Sequence, residues 1–285
     1  MHEDINNKIS TLDAFKKTKY FSQKYTSYFP IYDQLFGRFQ GTSLTFVEVG
    51  VLHGGSLFMF RDFFGKKARI IGIDNNKSAL QFSDDFEIFI GDQSDPLFWD
   101  NFFKTVGPID ILLDDGGHKN VQQIQTVVST LPYVRDGGLI VIEDTHTSFM
   151  YEFGNPNKKS FINWAALKAK NLTKRHSFVN NADNLVSRVS QVSFFDSLVS
   201  FYISSETSLI GKSIVNSGKK TTSSDNRNTD LPAISKYLRV VRSACRKPVA
   251  ILKKIIFMRL VFKYLVSLIF RIESRIVTRH LNKYF

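Results

Sequence analysis

Cysteine is almost absent from this chain of 285 residues, which contains Cys245 alone. Because a single thiol cannot form a disulfide within the chain, a reducing compartment is the simpler expectation. Residues 1–17 also lack an apolar stretch behind their first charges, and a secretory signal requires such a stretch. These two absences predict a cytoplasmic location.

Most of the chain lacks a net charge, although the formal net charge of the whole is +12. Residues 236–285 hold 13 of the 38 Lys and Arg residues but one of the 26 acidic residues, Glu273, so this segment carries the whole excess. An enzyme that acts on nucleic acid more often spreads basic residues around its active site. Because the rest of the chain is neutral, we expect no nucleic-acid partner.

The basic tail has no apolar run long enough to cross a bilayer. Residues 255–270 carry Arg259 and Lys263 as their charged residues, and a helix of that length reaches about 24 Å, short of the roughly 30 Å hydrocarbon core. We therefore expect an amphipathic helix, for which two interpretations stay open. Residues 236–285 lie peripherally on an anionic cytoplasmic membrane face, or they pack on the body or on another subunit of a homo-oligomer.

The middle of the chain alternates short apolar strands with helical segments. Strands are predicted at residues 44–51, 68–74, 86–92, 109–115 and 138–144, and helices at 55–64 and 121–130. This alternation specifies an α/β fold with a Rossmann-like, doubly wound, mostly parallel sheet. Two further strands, at 189–195 and 198–204, read as a terminal antiparallel hairpin and bring the predicted sheet to seven strands.

Four regions are predicted along the chain. They are a helical lead-in at 1–40, the α/β domain at 41–210, a polar linker at 211–232 and the basic amphipathic helical tail at 233–285. The lead-in is rich in aromatic residues. We interpret these as packing against the sheet edge, with a lid over a substrate as the alternative.

Two acidic clusters follow predicted strands. Asp114 and Asp115 begin the sequence DDGGH, and Glu143 and Asp144 begin EDTHT. The carboxyl ends of strands in an open parallel sheet meet at one edge, where ligands bind. The carboxylates of Asp115, Glu143 and Asp144 would repel in one crevice unless a cation lay between them. His118 is close enough in sequence to act as a base beside that cation.

A glycine-containing turn follows the first predicted strand, in the pattern Glu48-Val-Gly50 and then Gly54. Such a turn lets a ligand approach the backbone and the next helix N-terminus, although an ordinary strand-to-helix turn is an equal interpretation. Asp74 and Asp92, which end the next two predicted strands, favour the ligand site. The spacing differs from the dinucleotide pattern and suits a cofactor without phosphate, namely S-adenosylmethionine.

With these motifs, residues 44–150 resemble a class I S-adenosylmethionine-dependent methyltransferase. The sequences Asp-Asp-Gly-x-His and Glu-Asp-x-His-Thr-Ser more narrowly resemble the metal-dependent O-methyltransferases of macrolide sugars, of the mycinamicin and macrocin type, and the related cephalosporin-hydroxylase-like group. Gly117 departs from this pattern, since the family often has serine there, but the change removes no ligand.

The resemblance implies that Asp115, Glu143 and Asp144 bind Mg²⁺ or another divalent cation and that His118 is the general base. The residues expected to contact S-adenosylmethionine are Glu48, Gly50, Gly54, Ser56, Asp74, Asp92, Gln93 and Asp114. For Asp114 a purely structural role as a satisfied strand-end acid is an equal alternative, and both come before a metal role.

We therefore expect an O-methyltransferase that acts on a sugar hydroxyl, in a surface polysaccharide or glycolipid precursor. Three alternatives stay open: methylation of a small natural product, a hydroxylase-like activity, and a membrane-tethered binding protein without catalysis.

Overall fold

The computed structural model describes residues 8–153, 159–175, 187–205 and 214–219. The chain divides into two compact units, Met1–Ser213 and Ile214–Phe285, and the fold and site below belong to the first. The predicted tail at 233–285 lies outside the described residues, as does most of the predicted linker at 211–232. Within the described ranges, no helix has both the length and the apolar character needed to span a membrane.

The first unit is built on a seven-stranded sheet. Its strands are β1 (Thr45–Val49), β2 (Arg69–Asp74), β3 (Glu87–Ile90), β4 (Ile109–Asp114), β5 (Val134–Ile142), β6 (Val189–Phe194) and β7 (Val199–Ile203). They lie in the order β3-β2-β1-β4-β5-β7-β6. The first five are parallel, and β7 runs antiparallel to both β5 and β6. The predicted parallel sheet with a terminal hairpin is confirmed.

Helices cover both faces of this sheet. They are α1 (Thr11–Lys17), α2 (Tyr28–Phe36), α3 (Gly55–Phe64), α4 (Pro96–Val106), α5 (Asn120–Thr130) and α6 (Phe161–Thr173). The start of α4 shows how the local sequence sets a boundary. The side chain of Asp95 accepts a hydrogen bond from the Leu97 N–H at 2.9 Å, and Pro96 occupies the first turn, where no N–H is needed. Gly107, with φ +76°, ends the helix.

The core has two layers because neighbouring strand residues point to opposite faces. Phe46 on β1 packs in the layer under α2 and α3, whereas Val47 packs in the layer under α4, α5 and α6. Ile111 and Leu112 on β4 divide in the same way. Burial on both faces explains why the central strands read as continuous apolar runs, and it leaves their carboxyl ends as the edge where polar groups gather.

The lead-in packs on the sheet through α2, as the aromatic content predicts. Tyr32 and Phe36 are fully buried, and both rings contact the ring of Phe60 on α3. The prediction of core packing is wrong for two residues between α1 and α2: Phe21 is 64% exposed and Tyr25 is 55% exposed. These two rings lie at the wall of a cavity instead.

Candidate active site

A cavity of about 510 Å³ opens at the carboxyl ends of the five parallel strands β1 to β5. The strand order reverses between β1 and β4, and open α/β sheets bind ligands at such a switch point. The volume lies within the range of small-molecule sites, about 300–1,000 Å³. The cavity has two sides, which we call the cofactor half (Gly50, Ser56, Asp74, Asp92 and their turns) and the acidic half (Asp115, His118, Glu143, Asp144).

The glycine turn of the cofactor half depends on two positive φ angles. Gly50 has φ +94°, and a Cβ placed there would overlap the backbone carbonyl of Asp115. Gly54 has φ +77° and precedes α3, and an added Cβ would lie 2.6 Å from the ring of Phe82. Both positions therefore require glycine. Ser56, in the first turn of α3, is buried and lines the cavity.

Asp74 and Asp92 both line the cavity, and their contact with a cofactor stays a prediction. Asp74 also has a structural role, because its Oδ2 accepts hydrogen bonds from the N–H groups of Val51 at 2.9 Å and Leu52 at 3.0 Å. Asp92 Oδ1 accepts from the N–H and the hydroxyl of Ser94. The two carboxylates thus hold the turns of the cofactor half while facing the cavity.

Gln93 and Asp114 form a buried link between the two halves. Gln93 Nε2 donates to both carboxylate oxygens of Asp114, at 3.0 and 2.9 Å, and Gln93 Oε1 accepts from the N–H of Gly117 at 2.8 Å. Burial raises the pKa of Asp114, although the hydrogen bond from the Gly116 N–H opposes the rise. Gln93 lines the cavity, while Asp114 is 1% exposed and is not among the lining residues. The geometry matches the satisfied strand-end acid that was one of the two interpretations of Asp114.

Glu48 was expected to contact the cofactor, but it lies beneath the cavity and not at its wall. It is fully buried on β1 and does not line the cavity. Neither carboxylate oxygen has a hydrogen-bond partner in the described part of the chain. Burial raises the pKa of Glu48 to about 7, and the nearby carboxylate of Asp115 adds to the rise while Lys24 opposes it.

The acidic half brings together the carboxylates of Asp115, Glu143 and Asp144, all of which line the cavity. A lysine from the lead-in lies among them. Lys24 Nζ is 2.6 Å from Asp115 Oδ2 and 2.8 Å from Glu143 Oε2, and its side chain is 2% exposed. Burial alone would lower the pKa of Lys24, but the two carboxylates more than offset this and hold the pKa well above its usual range.

Two tyrosines of α2 complete the acidic half. The hydroxyl of Tyr28 donates to Asp144 Oδ1, and the hydroxyl of Tyr32 donates to Glu143 Oε1. Burial raises the pKa of both phenols, and the adjacent carboxylates reinforce the rise. Burial also raises the pKa of Glu143, against the opposing effect of the Lys24 ammonium. Both oxygens of Glu143 are therefore already engaged, by Tyr32 and Lys24.

His118 stands at the edge of this group. Its Nε2 lies 3.5 Å from Asp144 Oδ2, and the hydroxyl of Thr147 donates to its backbone carbonyl at 3.2 Å. His118 and Asp144 have φ angles of +57° and +52°. Left-handed backbone at residues other than glycine is uncommon, costs about 1–3 kcal/mol each and clusters at functional sites. The loops after β4 and β5 therefore aim these two side chains at each other at the expense of backbone strain.

The donor set of the acidic half fits a divalent cation. Asp115, His118 and Asp144 each offer a ligand atom, and these atoms lie within 4.8 Å of one another. Of these donors, the carboxylate oxygens of Asp115 and Asp144 are the kind that Mg²⁺ and Mn²⁺ prefer. The ammonium of Lys24 between Asp115 and Glu143 demonstrates that a positive charge is accommodated there. The assignment of Asp115, Glu143 and Asp144 as metal ligands stays a prediction.

Lys24 is the residue that sequence reasoning missed, and the hydroxyls of Tyr28 and Tyr32 are the groups whose role it missed. Lys24 is separated from its two carboxylates by 91 and 119 residues, and the tyrosines from theirs by 116 and 111. No periodicity or local motif connects positions so far apart. The aromatic content of the lead-in predicted burial of the tyrosine rings but indicated no partner for their hydroxyls.

The fold and site together define a class, a Rossmann-like domain with a cavity at the switch point of its sheet beside an acidic crevice. Residues 47–145, from β1 through β5, match the family model described as a methyltransferase domain. The resemblance predicted from the motifs is confirmed.

Curated relatives narrow the comparison. Mycinamicin VI 2''-O-methyltransferase of Micromonospora griseorubida is 35% identical over 150 residues, which are 48% of this chain and 37% of the relative. The 8-demethyl-8-alpha-L-rhamnosyl tetracenomycin-C 2'-O-methyltransferase of Streptomyces olivaceus is 31% identical over 134 residues, 45% of this chain and 35% of the relative. The matched region spans little more than a third of either relative.

A solved structure shares the fold. The MycE methyltransferase from the mycinamycin biosynthetic pathway, in complex with Mg and SAH, aligns with a TM-score of 0.57 and 25% sequence identity. The alignment covers 62% of this chain and 48% of that chain. The fold class predicted from the sequence agrees with this likeness.

Proposed function

We propose that this protein is a metal-dependent O-methyltransferase that moves a methyl group from S-adenosylmethionine to a sugar hydroxyl. One observation carries the proposal: a glycine turn and an acidic crevice edged by His118 share one cavity at the switch point of the sheet. The relatives support it, since both are named as O-methyltransferases of glycosylated natural products, and MycE was solved with Mg and SAH.

The cofactor half is proposed to hold S-adenosylmethionine and the acidic half the acceptor. Gly50, which lines the cavity, would let the backbone approach the cofactor, while Asp74 and Asp92 would face it from the ends of β2 and β3. Gly54 does not line the cavity, and glycine there makes room for the ring of Phe82. Asp115, Glu143 and Asp144 would hold the cation. When bound, the cofactor supplies an electrophilic methyl group and the cation lowers the pKa of an acceptor hydroxyl.

His118 is proposed as the general base. Its Nε2 accepts the proton of the acceptor hydroxyl as the oxygen forms its bond to the methyl carbon, and the bond between that carbon and sulfur breaks. Base assistance of this kind contributes about 10²–10⁴-fold. The left-handed φ of His118 and the hydrogen bond from Thr147 to its carbonyl hold the backbone of His118 in place beside Asp144 before the acceptor arrives.

The acceptor is proposed to carry two neighbouring hydroxyls. A cation held by the three carboxylates could also take oxygen ligands from the acceptor, and the exposed rings of Phe21 and Tyr25 at the cavity wall suit contact with a sugar face. The experiment is a measurement of S-adenosylhomocysteine formation with paired glycosides, one with a free vicinal diol and one with a neighbouring hydroxyl blocked. We expect turnover of the diol that stops with EDTA and returns with Mg²⁺. Equal turnover with EDTA would contradict the metal requirement.

A finer proposal concerns where the acceptor is made. The basic, apolar sequence of residues 236–285 supports a surface polysaccharide or glycolipid precursor at the cytoplasmic membrane face, with a small natural product as the alternative. Flotation with anionic liposomes compares the full chain with a chain truncated after residue 232. Loss of flotation on truncation supports the membrane acceptor, and equal flotation of both contradicts it.

A further inference from the structure

Lys24 brings a positive charge of the protein's own into the acidic half. Its ammonium bridges Asp115 Oδ2 and Glu143 Oε2, and its side chain is 2% exposed. A buried ammonium costs free energy unless it is paired, and here the pairing is with two of the three residues assigned to the cation.

The segment that carries Lys24 is packed on the cofactor half. We call residues 18–27, between α1 and α2, the strap. The hydroxyl of Thr18 donates to the carbonyl of Gly55 at 3.1 Å, and the ring of Tyr20 stacks on Phe58 with 4.8 Å between centroids. A Cβ at Gly55 would overlap the backbone of Phe21 in the strap. The strap therefore delivers Lys24 from a fixed position on the body.

A metal ion and this ammonium compete for the same oxygen atoms. Glu143 Oε1 is occupied by the hydroxyl of Tyr32 and Oε2 by Lys24. Asp115 Oδ2 is occupied by Lys24 as well. A divalent ion bound through Asp115 and Glu143 would be held next to a like charge, and that repulsion is strong where water is excluded.

We propose that Lys24 is a tethered competitor for the divalent cation, so that cation binding at Asp115 and Glu143 requires the Lys24 ammonium to leave. The proposal rests on the metal requirement of the proposed function. It makes Lys24 a positioning residue for the acidic half. Because linkage is reciprocal, removing the ammonium strengthens cation binding and cation binding exposes the ammonium.

The first test measures Mn²⁺ and Mg²⁺ binding by titration calorimetry and Mn²⁺ electron paramagnetic resonance, without acceptor. Lys24→Met, which keeps the chain length and removes the charge, is expected to bind about tenfold more tightly than wild type, or better. Lys24→Arg keeps the charge and should stay close to wild type. Lys19→Met is the matched control, because Lys19 is exposed on the same strap. Damage to the fold would weaken metal binding, so tighter binding by Lys24→Met cannot come from a damaged fold. Equal or weaker binding by a folded Lys24→Met variant overturns the proposal.

The second test uses the wild-type chain and covers the case in which Lys24→Met does not fold. Lysines are labelled by reductive methylation with and without Mg²⁺, and peptides are quantified by mass spectrometry. Lys24 labelling is expected to rise severalfold with the cation while Lys19 labelling is unchanged. Unchanged or reduced labelling of Lys24 overturns the proposal. Neither test involves methyl transfer, so an inactive protein that passes both would contradict the proposed function and not this inference.

Discussion

The cofactor half of the cavity is held by neighbouring turns, whereas the acidic half is completed by side chains from the distant lead-in. Asp74 bonds to backbone 22 and 23 residues away, while Lys24 reaches 91 and 119 residues to Asp115 and Glu143. The first arrangement follows from a local motif and the second from docking of α2 on the sheet. Removal of the α2 hydroxyls that reach Glu143 and Asp144 should therefore disturb the acidic half and leave cofactor binding nearly intact.

The largest expected effect separates the chemistry of the two halves. His118→Ala should lower kcat by about 10²–10⁴-fold, because it removes the proposed base. The affinity for S-adenosylhomocysteine, measured by titration calorimetry, should stay within about twofold, since a twofold change is below 0.5 kcal/mol. His53→Ala is the control, because His53 is an exposed histidine in the turn of the cofactor half. Turnover near the wild-type rate in His118→Ala with intact cofactor binding would make the assignment wrong.

The second prediction concerns the contact where the two halves meet. Gly50→Ala places a Cβ against the carbonyl of Asp115 at a φ of +94°, so the loss in unfolding free energy should be about 3 kcal/mol or more. Gly65→Ala is the matched control, because Gly65 has φ +86° but no atom within 4 Å of an added Cβ. It should lose about 1–2 kcal/mol from the backbone alone. The unfolding free energies are measured by urea unfolding. Equal losses in Gly50→Ala and Gly65→Ala would show that the close approach of Gly50 to the Asp115 carbonyl does not matter for stability.

The third prediction tests the buried charge behind the acidic half. The pKa of Glu48 is raised from its ordinary 4.5 to about 7, so the folded state holds a proton that the unfolded state releases. Stability from this group is complete below pH about 4.5 and is lost as pH rises to about 7, by up to about 3 kcal/mol. In Glu48→Gln this part of the decline in unfolding free energy should be absent when urea unfolding is measured between pH about 4.5 and about 7.

Glu87 provides the control for that pH profile. The Arg69 hydrogen bond lowers the pKa of the Glu87 carboxyl, so its contribution changes below pH about 4.5 and is constant above it. Glu87→Gln should therefore differ from wild type by the same amount at pH 5 and pH 7. A Glu48→Gln profile parallel to wild type would contradict a buried, protonated Glu48.

The smallest expected effect tests how the lead-in supports the acidic half. Tyr32→Phe removes the hydroxyl that donates to Glu143 and should lower the unfolding free energy by about 1.5–3 kcal/mol, because the buried carboxylate loses a partner. Tyr25→Phe changes a 55% exposed ring and should lie within about 0.5 kcal/mol of wild type. The affinity for S-adenosylhomocysteine should be unchanged in both variants. If Tyr32→Phe lost affinity for S-adenosylhomocysteine, the lead-in would support cofactor binding as well, and the proposed difference between the two halves would be wrong.

The sequence predicted the parts of the fold that depend on local patterns. Apolar runs that end in Asp74 and Asp114 mark buried strands and their carboxyl ends, and the glycine at position 50 marks the turn between β1 and α3. The parallel order follows because strands alternate with helices. The juxtaposition of Asp115 with Glu143 and Asp144 was predictable for the same reason.

The rest depended on packing that no local pattern records. Glu48 was expected to contact the cofactor, but β1 is the central strand of the switch point and its side chain is covered on all sides. Gln93 was expected to do the same. It lines the cavity, and no local pattern predicted that it also ties Asp114 to the loop after β4. Lys24 could not be distinguished from a surface lysine, because its partners follow β4 and β5 and the strap approaches them only in the folded chain.

Transfer of a deuterated methyl group from S-adenosylmethionine to a glycoside with a vicinal diol, followed by mass spectrometry of the product, tests the central claim most directly. The same sample is measured with Mg²⁺, after EDTA and after Mg²⁺ is restored, beside Asp115→Asn as the control for the acidic half. We predict one labelled methyl group on a sugar oxygen, lost with EDTA, regained with Mg²⁺ and absent in the variant. A labelled product that forms equally with EDTA, or in Asp115→Asn, would contradict the account.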